Sequence, residues 1–95
     1  MAKLIRDKFV DIIDKDKIYY EKHDKNKFAH LHHKILEELG ELKDSVYLDE
    51  TEWADVIESL LAMMKYQNIN IKDVSTSLYK KRKEYGKFDD FLILK

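Results

Sequence analysis

The chain has 95 residues, 44% of them hydrophobic and 39% charged, with a formal net charge of -1. That length supports one hydrophobic core and a single domain, 1-95, and the apolar content excludes a disordered chain. Near-neutral charge removes any overall pull toward nucleic acid or an anionic membrane, and the absence of Cys excludes disulfides, thiolate metal sites and thiol nucleophiles.

No stretch reaches the ~18 consecutive apolar residues of a membrane span, so the sequence reads as a soluble, unprocessed, cytoplasmic protein without nucleic-acid or membrane partners. Pro is absent and Gly occurs twice, which favours long helices joined by short loops. Residues 4-14, "LIRDKFVDIID", place Leu4, Ile5, Phe9, Ile12 and Ile13 at helix-like intervals. The stretch "KIYYEKHDKNKF" loses that period and reads as a loop, with "HDKNK" an exposed turn. From about Phe28 to Asp44 a helical stripe of Phe28, Leu31, Ile35, Leu39 and Leu42 returns. A second helix is expected to start at Asp49, an N-cap residue with Glu52 three positions on. Its apolar arc (Trp53, Ala54, Val56, Ile57, Leu60, Leu61, Met63, Met64) is wider than one neighbouring helix covers, and Trp53 is expected in the core. A third helix is expected after Asn70, running to Gly86 with Lys80, Lys81, Arg82 and Lys83 at its dipole-favoured end. The apolar tail "KFDDFLILK" is expected to pack on the bundle or on a partner chain. These elements specify an all-α helical bundle, oligomeric, built on a central antiparallel helix hairpin.

Between residues 35 and 58 stand nine acidic side chains (Glu37, Glu38, Glu41, Asp44, Asp49, Glu50, Glu52, Asp55, Glu58) against the single Lys43. Glu38 and Glu41 are one helical turn apart, as are Glu52 and Asp55. On a helical wheel of ~3.6 residues per turn, both pairs flank the apolar side of their helices. A short turn around "DSVYL" sets Glu41 level with Glu52 and Glu38 level with Asp55. Four converging carboxylates repel unless a cation sits among them, and grouped hard oxygen ligands suit Mg²⁺ or Mn²⁺. Spacing alone leaves a second reading open, a solvated acidic face. His30, His32 and His33 read as surface residues, because neither acidic pair carries the Glu-x-x-His spacing of a di-iron bundle.

The same residues carry a resemblance. "KILEELGE" followed by "EWAD" resembles the Glu-Glu-x-x-Glu...Glu-x-x-Asp signature of the MazG-like and phosphoribosyl-ATP pyrophosphohydrolase-like group of all-α nucleoside triphosphate pyrophosphatases. "KLIRDKFVDII" is similar to the start of a short subgroup of that superfamily, and "KKRKEYGKF" to its ending, so three ordered blocks span most of the chain. Val10, Tyr85 and Lys87 depart from the Pro, Arg and Gly of the pattern, and the interval from Glu41 to Glu52 is short for it. The resemblance implies hydrolysis of a nucleoside triphosphate between its α and β phosphates to a monophosphate and pyrophosphate, in a house-cleaning role. It further implies Mg²⁺ (or Mn²⁺) held by Glu38, Glu41, Glu52 and Asp55, with Glu37 and Glu38 as the catalytic carboxylates, and a homodimer or homotetramer. Lys34, Lys81, Arg6 and Lys8 are the cations expected on phosphate. Two other functions remain: a non-catalytic helical interaction or nucleotide-binding module, and phosphoribosyl-ATP pyrophosphohydrolase.

Overall fold

The computed structural model describes residues 2-95. Three helices follow one another, α1 (Asp24–Asp44), α2 (Glu50–Tyr66) and α3 (Ile71–Tyr85), after two short 3₁₀ turns at Asp7–Asp11 and Lys15–Lys17. The described residues contain no strand, and no helix among them is long and apolar enough to cross a membrane.

α1 and α2 pack side by side and antiparallel. Tyr66, at the end of α2, donates its hydroxyl to the Asp24 carbonyl at the start of α1, 2.8 Å away, while Glu41 and Glu52 meet at the opposite end. Leu31, Leu42 and Val56 are buried between them, together with Glu38 and Ser59. Ser59 satisfies its hydroxyl by donating to the Val56 carbonyl at 2.7 Å, as a buried hydroxyl on a helix must. α1 starts four residues before the expected Phe28, because its first turn is wholly polar and leaves no hydrophobic period to read. Asp24 in that turn is favoured by the helix dipole.

The connection at 45-49 is tight. Ser45 N–H donates to the Glu41 carbonyl at 3.1 Å and Tyr47 N–H to the Leu42 carbonyl at 3.0 Å. Reversing the chain so quickly puts Val46 at φ 56° and Tyr47 at φ 60°, a left-handed conformation that costs a β-branched residue ~1–2 kcal/mol. Trp53 helps hold the turn by donating its indole N–H to the Tyr47 carbonyl at 2.9 Å. It therefore lies at the rim, 44% exposed, and not in the core. The Asp49 carboxylate caps α2 by accepting from Thr51 N–H at 2.9 Å.

The N-terminal segment does not form the helix its spacing suggested. Asp7–Asp11 is a 3₁₀ turn without a side-chain cap. Ile5, Val10, Ile12 and Ile13 are β-branched and give up side-chain freedom in an α-helix. A short run of this kind does not repay helix nucleation. The segment instead lies along the α1–α2 pair, with Ile5 and Ile13 partly covered.

α3 is well capped: the Asn70 side chain accepts from Lys72 N–H at 2.8 Å. Yet it has no buried residue, and Phe88, Phe91, Leu92, Ile93 and Leu94 of the tail are all exposed. The tail does not pack back on its own bundle.

Candidate metal centre

Glu38 and Glu41 of α1 and Glu52 of α2 each bring a carboxylate oxygen within 4.8 Å of the others. The helical period makes this meeting: Glu38 and Glu41 share a side of α1, and the tight turn sets α2 so that Glu52 faces them. Glu38 is buried, Glu52 half-buried and Glu41 exposed. Glu38 Oε2 and Glu52 Oε2 are buried without any hydrogen-bond partner. An orphaned carboxylate oxygen is costly in a protein interior. Burial, then the charge and hydrogen bonding of Glu41, then the charges of Asp49 and Asp55, push the Glu52 carboxyl above the usual glutamate range. The donor set is all hard oxygen and two of its members keep one oxygen without a partner, so the three glutamates fit one metal ion.

Internal cations surround the cluster. Lys34 Nζ lies 3.2 Å from Glu38 Oε1 and 3.4 Å from Glu37 Oε1. Burial alone would lower the Lys34 ammonium pKa, but its hydrogen bond to Glu38 and the Glu37 and Glu38 charges outweigh that and raise it. Lys3 Nζ stands 3.7 Å from the same Glu37 oxygen. Arg6 Nη2 donates to Asp55 Oδ1 at 2.7 Å.

The N-terminal segment and the helix pair enclose a cleft of about 980 Å³, at the upper end of the range for small-molecule sites. Lys3, Arg6, Lys8 and Lys34 line it, along with Glu38 and Asp55, while Leu4, Ile5, Phe9 and Leu31 supply an apolar wall. Glu38 belongs both to the carboxylate cluster and to this wall. A smaller cavity of about 320 Å³ lies on the other side of the segment, bordered by Glu21 and His30. His30 Nε2 is 3.2 Å from Glu21 Oε1, so this histidine is a part-buried partner of Glu21 and not a free surface group.

Of the four carboxylates expected to converge, Glu38, Glu41 and Glu52 do, and Asp55 turns to Arg6. Glu37 sits beside the trio, held by Lys34 and Lys3. Of the four cations expected on phosphate, Arg6, Lys8 and Lys34 line the cleft, whereas Lys81 is exposed on α3 and does not line it. Lys3 was overlooked by sequence reasoning, although it stands one short segment before Arg6 in the same basic block. No protein-family model, curated protein or solved structure matches this chain, and the resemblance stands on its quoted residues alone.

Proposed function

We propose that this chain is a Mg²⁺-dependent nucleoside triphosphate pyrophosphohydrolase, MazG-like in its helix hairpin, with a house-cleaning role. One observation carries the reading: Glu38, Glu41 and Glu52 converge, two of them keeping a buried oxygen without a partner, beside a cleft that Lys3, Arg6, Lys8 and Lys34 line together with Asp7, Asp55 and Glu58. Carboxylates for a metal ion and cations for phosphate oxygens within reach of one cleft are what a metal-bound polyphosphate requires.

Water adds across the α–β anhydride. A bond forms from its oxygen to phosphorus, the bridging phosphorus–oxygen bond breaks, and monophosphate and pyrophosphate leave. Glu38, Glu41 and Glu52 would hold the ion, with Asp55 as the fourth carboxylate once it leaves Arg6. Mg²⁺, or Mn²⁺ in its place, supplies charge neutralisation on the phosphates and a more reactive water. Glu37, beside the cluster, orients that water and receives its proton. Lys34, Lys8 and Arg6 offset the charge that builds on the leaving oxygens.

The working unit is a homodimer or homotetramer. The single chain exposes 9126 Å², against about 5,800 Å² for a compact monomer of this mass. Its radius of gyration is 17.0 Å, against about 12 Å for a compact domain. The surplus, about 3,300 Å², exceeds the ~800 Å² per partner of a standard interface. Exposed apolar side chains on α2, α3 and the tail supply it.

The test is a nucleotide panel with Mg²⁺, scoring pyrophosphate against orthophosphate. Pyrophosphate is expected. Orthophosphate alone excludes α–β cleavage, and an inert panel favours the interaction module. The Glu41→Gln variant is expected to lose at least about 100-fold in turnover with unchanged helical circular dichroism.

A further inference from the structure

Arg6 is the cation of the cleft that a single ion pair, to a carboxylate lining the same cleft, holds in place. Asp55 is its only ion-pair partner among the described residues, and the two side chains are 55% and 37% exposed. An ion pair open to water is weak. Lys34 differs: its side chain is 21% exposed and it bridges two carboxylates at once. Meanwhile the partnerless oxygens of Glu38 and Glu52 receive no help from Arg6, although Asp55 lies one turn from Glu52 on α2. The guanidinium of the N-terminal segment rests on a carboxylate that is open to water on one side, where a divalent ion can displace it.

We infer that Arg6 is an exchangeable counter-ion: it neutralises Asp55 until a divalent cation claims that carboxylate, then turns its guanidinium to the polyphosphate in the same cleft. The inference rests on the metal-centre reading above. No large movement is needed, because Arg6 and Asp55 line one cleft. A guanidinium is suited to both partners, since its planar fork bonds carboxylate and phosphate oxygens alike and it never loses its charge. One side chain serving two sites couples them, and the coupling is reciprocal: metal raises the affinity for polyphosphate, and polyphosphate raises the affinity for metal.

Titration calorimetry of the full chain with Mn²⁺ alone, then with inorganic tripolyphosphate in excess Mn²⁺, separates the outcomes. Arg6→Ala removes the competitor, so its Mn²⁺ affinity is expected to rise about two- to fivefold, the ceiling set by a weak exposed pair. The same variant is expected to bind Mn²⁺-tripolyphosphate about tenfold more weakly, through loss of a charged hydrogen bond. Arg6→Lys, which keeps the charge without the fork, is expected near the parent for Mn²⁺ and between the two for tripolyphosphate. A merely structural Arg6 would weaken both ligands, and that result, or equal affinities in parent and Arg6→Ala, overturns the exchange while leaving the metal centre intact. Absence of Mn²⁺ binding in the parent overturns the metal centre and the exchange together. Matching far-UV circular dichroism of the three proteins assigns the differences to the site.

Discussion

The α1–α2 pair and α3 with its tail are built from similar material but end in opposite states. Both regions have side-chain helix caps, at Asp49 and Asn70, and both carry apolar residues along their length. Among the described residues all five buried ones lie in the pair, and none in α3. The difference teaches that local signals make a helix while a partner surface makes it bury. α1 and α2 are given that partner by a five-residue connection, whereas α3 leaves the turn after α2 with its apolar side chains facing water. The glutamate cluster falls in the self-sufficient region, and the unpartnered apolar surface falls in the other.

The comparison breaks most visibly at Leu42, which is 1% exposed. Leu42→Ala is expected to cost about 3 kcal/mol by cavity formation. Leu78→Ala, at a site 46% exposed, is expected to cost less than about 1 kcal/mol. Urea unfolding at dilute protein measures both, and equal losses would show that α3 packs on its own chain after all. A second effect belongs to the exposed region alone. Leu92→Asp places a charge in the apolar tail and is expected to shift the mass found by light scattering toward the monomer without changing dilute unfolding. A mass equal to the parent's would remove the tail from the interface.

The smallest effect is a dependence on pH in the acidic cluster. Glu52 holds its proton more tightly in the folded chain than in the unfolded one. Its contribution is fully present below the ordinary glutamate value, about 4.3, and is lost as pH rises through the higher folded value. Metal-free Glu52→Gln is therefore expected to gain stability relative to the parent as pH rises toward neutrality. Added Mn²⁺ is expected to reverse that order, because only the parent binds it fully. Thermal unfolding of both proteins across this range, with and without Mn²⁺, measures the crossing; a constant difference would mean that neither burial nor Glu41 raises the Glu52 carboxyl.

Much of this was legible at the level of one helix. Asp49 and Asn70 announce helix starts because their side chains accept nearby N–H groups. Glu38 and Glu41 share a side because the helical period requires it. The errors arose where distant segments meet. Residues 4-14 have a helical spacing but lie as an irregular strap, and Trp53, apolar by the wheel, sits at the rim holding a turn. Asp55 was expected among the carboxylates because its spacing from Glu52 permits it, but Arg6, 49 residues away in sequence, takes it.

Local pattern was enough for three helices, the side-chain caps of α2 and α3 and the sides on which the acids stand, since each depends on contacts within a few residues. Which acids meet, which cations face them and which apolar surfaces stay bare were settled by packing between distant segments. Those outcomes depend on how a tight turn aligns two rods and where a tethered strap comes to rest, and neither has a local period to read.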